Sequence, residues 1–383
     1  MPHLLNAHDY RAAARRFLPK ALFDYIDRGA EDENALRKLR DTLDAVRLVP
    51  SVLTGHTDRD LTADVLGQRM AIPVIIAPTA LAGMVSHNGE IKIARAAERM
   101  GIPTCVSTQS VATIEDIRSG CPAANLWFQL YLWKDRALTA SLLERVRMAG
   151  VDTLVVTADT PAGPKREYNQ RNGFAIPIQY SARLGFDVLS HPRWLIGVLL
   201  RYMATTGMPT YGHYPEEFRS SVTRAQLAER VRLENHLNWE DIRELRRLWT
   251  GKLVIKGILS VADAERCHAA GADGIVVSSH GARNLDVLPS PVEILPKIAD
   301  GFADKLDIIA DSGVQRGSDI IKYIALGAKA VMTGRLPLWG LAARGETGAD
   351  ALLAMLRNEI DLTLALLGRK TAQDCEIFDH RGP

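Results

Sequence analysis

Cysteine is scarce in this 383-residue chain: Cys105, Cys121, Cys267 and Cys375 lie far apart, with no C-x-x-C spacing. A disulfide scaffold and a zinc site are excluded on that ground, and a reducing compartment fits best. Charge of one sign is equally lacking. Lys plus Arg number 47 against 45 Asp plus Glu, a formal net charge of +2 with no long basic run, so nothing supports a nucleic-acid partner. No G-x-G-x-x-G follows the first strand-like run, which counts against a dinucleotide fold. The first residues, "MPHLLNAHDYRAAARRFLP", hold no apolar core before a small-residue cleavage site and therefore do not form a secretory signal. They read as an amphipathic helix, with an organelle transit peptide as the alternative.

What is present is a globular composition, 47% hydrophobic and 24% charged, sufficient for a large packed core. Short Val- and Ile-rich runs recur: "IPVIIAP", "IPTCVST", "NLWFQLY", "DTLVVTAD", "KLVIKG", "DGIVVSSHG", "LDIIADSG" and "KAVMTGR". Helical periodicity fills most of the intervals, over Glu90–Met100, Arg136–Ala149, Trp239–Leu248, Ala262–Ala270 and Asp319–Leu326. Continuous apolar runs alternating with helices predict parallel strands covered on both faces. Eight of them predict a closed (β/α)8 TIM barrel, a fold of about 250 residues, over an open doubly wound sheet. A single domain of residues 1–383 is expected, with a helical lead-in and irregular connections over 1–72, the barrel over 73–368 and a long insertion, 174–238, after the fourth strand. An insertion of that length is expected to be functional and partly disordered.

The strand ends carry the chemistry. Pro78-Thr79, Ser107 to Gln109, Gln129 with Tyr131, Thr157 with Asp159, Lys256, Ser278 with His280, Asp311-Ser312-Gly313 and Gly334-Arg335 close the successive runs. Barrel active sites are built at the carboxyl ends of the strands, so eight polar tips point to a catalytic mouth. The loops after strands seven and eight are a habitual phosphate site, for which Gly313, Gly334 and Arg335 are suited. Lys256 has no evident partner in the sequence, which implies that a ligand supplies the negative charge. No metal site is expected.

"APTA", "WFQLY", "TADTP", "IKGIL", "SSHGARNLD", "DSGVQRGSD" and "GRLP", from "LPKALFDYIDRGAED" to "GLAARGETG", resemble the FMN-dependent 2-hydroxy acid dehydrogenase and oxidase family over nearly the whole chain. The resemblance implies FMN as cofactor and oxidation of an (S)-2-hydroxy acid to the 2-keto acid. It implies His280 as general base, a role suited to imidazole near neutral pH, with Asp159 stabilising the imidazolium. Arg166 and Arg283 are implied to bind the substrate carboxylate, and Tyr25 and Tyr131 to face the substrate oxygens. It also implies Thr79, Ala80, Ser107, Gln129, Thr157, Lys256 and Ser278 around the flavin ring, and Asp311, Gly313, Gln315, Gly334 and Arg335 towards the ribityl chain and phosphate. Without it, Tyr25 and Tyr131 read as core tyrosines, and Arg166 in "PKREYNQR" as a solvated charge.

The chain departs from the family pattern at Ser279, usually Asn, at Asn284, usually Gln, and at Gln315, usually Arg, which removes a cation near the phosphate. Ala162 and Gly163 leave room where some relatives are bulky, and Gln109 occupies a position that is Trp in glycolate oxidase and small in the mandelate enzyme. Within the insertion, "HPRWLIGVLLRYMATTGMP" (191–209) resembles the segment of membrane-associated lactate and mandelate dehydrogenases. Its ten or so apolar residues cannot span a bilayer, which needs about twenty. With basic flanks and an interfacial Trp they suit peripheral contact. The expected acceptor is then a quinone or another carrier, and the expected location the cytoplasmic side of the inner membrane, or the cytoplasm. A homotetramer is implied by the family. The alternatives are an oxidase producing hydrogen peroxide and, from another class, a flavin-dependent isomerase.

Overall fold

The computed structural model describes residues 3–174, 181–219 and 228–378. Eight strands, β1 (Val74–Ile76), β2 (Thr104–Ser107), β3 (Leu126–Leu130), β4 (Thr153–Thr157), β5 (Lys252–Ile258), β6 (Gly274–Val277), β7 (Asp307–Ala310) and β8 (Ala330–Thr333), pair in parallel and close when β8 pairs with β1. This is the predicted TIM barrel, each strand falling on an apolar run of the sequence, with β5 running one residue beyond its own. A strand covered on both sides has no polar face to show, so its run is continuous. The two faces still separate by alternation. Ile75, Cys105, Trp127, Val155, Val254, Val276, Ile309 and Met332 form an interior cluster, whereas Ile76, Val106, Phe128, Leu154, Ile255, Ile275, Ile308 and Val331 pack under the helices.

The lead-in holds three helices, Ala7–Phe17, Lys20–Asp27 and Asn34–Ala45. The expectation of irregular connections from there to the barrel is corrected by an antiparallel ribbon, Ala63–Val65 with Gln68–Met70. Strands of three residues are too short to display a period, which is why the sequence hid them. Ala63, Val65, Leu66 and Met70 join the interior cluster. The Gln68 side chain accepts from Trp127 Nε1 at 3.0 Å and Asn125 Nδ2 at 2.9 Å, and Leu66 N donates to the Asp307 carboxylate. The ribbon thus stoppers the amino-terminal end of the barrel.

In the insertion, helix Ala182–Leu189 precedes Pro192–Trp194, which continues through a π-helical turn, Leu195–Leu200, into Arg201–Thr205. Residues 175–180 and 220–227, on which the expectation of partial disorder bears, lie outside the described residues. Trp194, Val198 and Tyr202 are buried along one face, while Ile196, Leu200 and Met203 are 64%, 46% and 57% exposed on the other. Trp194 Nε1 donates to Met84 O at 2.7 Å, and Asn88 N donates to Tyr202 Oη at 2.9 Å. Among the described residues no helix is long and apolar enough to cross a membrane.

The returning chain docks at the β2 loop. Gly212 N donates to Ser110 O at 3.0 Å, and a Cβ there would stand 2.6 Å from Val111 O, so only glycine fits. The next residue, His213, is completely buried, edge-on to Phe128 at 5.0 Å. Burial, then the nearby Arg145, pushes its imidazole down to about 4 from 6.5. The unfolded chain therefore binds a proton that the folded one refuses, and stability falls as pH drops from about 6.5 towards 4. His213→Gln is expected to remove up to about 3 kcal/mol of that acid loss, read as a shallower fall of the urea midpoint over the same pH interval.

Candidate active site

The interior alternation extends one step beyond the apolar layer. Two residues after Cys105, Trp127, Val155, Val254, Val276 and Ile309 come Ser107, Gln129, Thr157, Lys256, Ser278 and Asp311, all on the same face by the period of two. All of them but Ser278 line a cavity of about 360 Å³ at the carboxyl ends of the strands, together with Tyr25, Thr79, Ala80, Gln109, Tyr131, His280, Arg283, Gly313, Gln315, Gly334 and Arg335.

Lys256 stands at its base. Its Nζ is 2.9 Å from Asp311 Oδ2 and donates to Ser278 Oγ at 2.7 Å, with both charged side chains buried. The expectation that Lys256 lacks a partner is thereby corrected: β5 and β7 are not neighbours in the barrel, and the pairing across the mouth is invisible in the sequence. Burial by itself would strip the ammonium of its proton, but Asp311 and Asp159 outweigh it and hold Lys256 above its ordinary range.

His280 Nδ1 lies 2.8 Å from Asp159 Oδ1. Nδ1 is therefore the protonated nitrogen, donating to the carboxylate and leaving the Nε2 lone pair free. Burial would raise the Asp159 carboxyl, yet the charge and hydrogen bond of His280, with Lys256 beyond, hold it below the usual carboxylate range. The loop itself is strained: His280, Gly281 and Ala282 have φ of 54°, 62° and 58°, a left-handed run that disfavours the two non-glycine residues. The lead-in holds it there. Ala30 N donates to Ala282 O at 2.9 Å, and the Ala282 methyl packs on Ala35 and Leu39.

Three guanidinium groups gather on this side. Arg283 donates to the carbonyls of Tyr25, Ile26 and Arg28, at the end of helix Lys20–Asp27, and lies over the Tyr25 ring at 5.0 Å. Arg166 Nε donates to Arg283 O at 2.9 Å; far from solvated, it is pushed down to about 10 by burial, then by Arg283. Arg335 donates to Gly281 O at 2.9 Å and to the Ile26 and Arg28 carbonyls, and is lowered to about 10 by the same two causes. In this structure its guanidinium thus faces the other arginines. Such crowding favours an anion between them.

Asp159, Arg166 and Ser278 stand just behind the cavity lining; the other predicted residues line it. Sequence reading assigned no role to Asn284, whose Nδ2 donates to Asp159 O at 2.8 Å, or to Ser312, whose Oγ accepts from Gly281 N at 3.0 Å and donates to Asp311 Oδ1 at 2.7 Å. Both stand within the motifs already singled out, the only signal available.

A model of the FMN-dependent dehydrogenase family matches residues 14–378. The chain belongs to that family. It is 41% identical to (S)-mandelate dehydrogenase of Pseudomonas putida over 366 residues, 96% of this chain and 91% of that one. With L-lactate dehydrogenase of Azorhizobium caulinodans it shares 38% over 368 residues, covering 96% and 95%. The crystal structure of the monotopic membrane protein (S)-mandelate dehydrogenase superposes with a TM-score of 0.93 at 40% identity, over 99% of this chain and 100% of that chain. Mandelate oxidase with benzoyl-formic acid gives 0.82 at 30% identity, over 98% and 99%.

The cofactor of this dehydrogenase is FMN, and the cavity fits it. Gln129 Nε2 is buried and has no hydrogen-bond partner among the described residues, a donor placed for a ring heteroatom. Gly334, at the start of helix Arg335–Arg344, and Gly313 and Gln315, in the loop before helix Gly317–Ala325, line the cavity together. At Gln315 the missing arginine is not replaced by its neighbour, since Arg316 pairs with Glu359 at 2.7 Å. Lys256→Met is expected to strand the Asp311 carboxylate in the barrel mouth, costing about 3–5 kcal/mol of stability. Urea unfolding and the flavin-to-protein absorbance ratio after gel filtration check both the loss of stability and the loss of FMN.

Proposed function

We propose that the enzyme oxidises an (S)-2-hydroxy acid, lactate- or mandelate-like, to the 2-keto acid. The observation that carries this reading is a base backed by a carboxylate, His280 on Asp159, beside a cluster of guanidinium groups. Arg283 and Arg166 hold the substrate carboxylate, each offering planar paired donors to it. Tyr131, whose hydroxyl burial pushes up, stays protonated and with Tyr25 bonds the hydroxyl end. His280 Nε2 accepts the proton released as the C–OH carbon is oxidised, and Asp159 stabilises the imidazolium that results. FMN, when bound, supplies the two-electron acceptor. Thr79, Ala80, Ser107, Gln129, Thr157, Lys256 and Ser278 surround its ring, Lys256 stabilising negative charge on it. Asp311, Gly313, Gln315, Gly334 and Arg335 serve the ribityl chain and phosphate.

The electrons then pass to a quinone or other carrier at a membrane surface. The exposed face of Ile196, Leu200 and Met203, with Phe186 and Leu189 nearby at 74% and 69% exposure, supports peripheral contact through 191–209. One relative of known structure is described as a monotopic membrane protein. The four cysteines are unpaired and buried, in keeping with the cytoplasmic side of the inner membrane. A homotetramer is the assembly that goes with this reading, each chain contributing a single domain of lead-in (1–72), barrel (73–368) and insertion (174–238).

Anaerobic addition of L-lactate or (S)-mandelate is expected to bleach the flavin spectrum, with His280→Gln slowing reduction by about 10²–10⁴-fold. A spectrum unchanged by every 2-hydroxy acid tried would refute the assignment, and fast recovery in air would make the enzyme an oxidase. Replacing Ile196, Leu200 and Met203 together with Ser is expected to release the protein from sedimenting phospholipid vesicles while leaving the anaerobic reduction rate unchanged.

A further inference from the structure

Gln109 is a polar cavity-lining side chain that neither the proposed carboxylate site nor the flavin claims. It stands two residues past the end of β2, its N–H donating to Ser107 Oγ at 3.1 Å, and the β3 tip residue Tyr131 is tied to the same loop through Thr108 Oγ1 at 3.0 Å. Gln109 and Tyr131 therefore stand on adjoining loops and both line the cavity, into which the part of the substrate beyond the reacting carbon extends on the proposed reading.

Behind Gln109 lies an unusual polar backing. The Tyr214 hydroxyl faces both the Gln109 amide and Trp133. Tyr214 and Trp133 are each 1% exposed, their rings 5.1 Å apart. Yet neither Tyr214 Oη nor Trp133 Nε1 finds a partner of good hydrogen-bond geometry among the described residues. Buried polar groups are ordinarily paired, so these two atoms and the pocket amide form one loosely bonded polar set. Their position is also fixed. Gly212 and His213 lock the returning chain onto Ser110 and Thr108, and Tyr211 packs on Tyr214 at 5.3 Å. An apolar side-chain pocket would need none of these groups.

We infer that Gln109, backed by Tyr214 and Trp133, is a specificity-determining end wall that selects 2-hydroxy acids whose side chain ends in a hydrogen-bonding group, such as a hydroxyaryl acid, over the plain hydrocarbon analogue. This rests on the proposed oxidation of 2-hydroxy acids and adds to it the chemistry of the far end of the substrate. A pocket that hydrogen-bonds a substrate group discriminates against the analogue lacking it, because its own polar atoms are then left unpaired.

The test is stopped-flow flavin reduction by (S)-4-hydroxymandelate and (S)-mandelate, two acids that differ by one hydroxyl, in the FMN-loaded wild type, Gln109→Leu and Tyr214→Phe. In the wild type the ratio of second-order reduction rate constants is expected to favour the hydroxylated acid about tenfold. Gln109→Leu should bring that ratio to one or below, and Tyr214→Phe should lower it about threefold. A wild-type ratio of one or less overturns the inference without needing either variant, as does a preference that Gln109→Leu leaves intact. If neither acid bleaches the flavin while L-lactate does, the inference falls and the oxidation stands. If no 2-hydroxy acid bleaches it, both fall.

Discussion

Parallel strands leave two raw edges, and this sheet disposes of them by closing on itself. Closure has a chemical consequence. All eight carboxyl ends arrive at one opening, so residues 256 positions apart, Thr79 and Arg335, share a wall. The ribbon fills the opposite end, and apolar layers fill the middle. The polar atoms of the final layer therefore face a common cavity, and the bonds among them decide its character.

Those bonds form two linked systems. Lys256, Asp311 and Ser278 settle charge at the base, while Asp159, Asn284 and His280 orient a ring nitrogen towards the opening. Ser278 joins them, since its Oγ accepts from both Lys256 Nζ and His280 N. On the other side the lead-in contributes carbonyls at the end of a helix, which attract guanidinium groups. The arginines are thus gathered by dipoles rather than carboxylates, and they retain their appetite for an anion.

The barrel was legible because burial on both faces writes an uninterrupted apolar run, and polar residues two positions beyond each run exposed the mouth. The family motifs added the roles. What stayed hidden shares one cause, which is that long-range contacts leave no local period. Arg166 sits in a stretch that reads as solvent-facing, yet the fold buries it against Arg283. Lys256 looked unpaired because Asp311 lies 55 positions away, two strands round the barrel. The ribbon was too brief to register, and Tyr214 meets Gln109 only after the insertion turns back.

That insertion is one continuous excursion with two unlike halves. Its outgoing helices present aliphatic side chains outward, and its returning segment is stitched to the β2 loop behind the pocket. Evolution or engineering can accordingly treat the halves as separate cassettes. Exchanging the outgoing portion alone replaces the exposed aliphatic face, whereas a swap extending past residue 210 also replaces the residues packed on the β2 loop behind the cavity. Surface character and pocket backing are in this way inherited together or apart according to where the crossover falls.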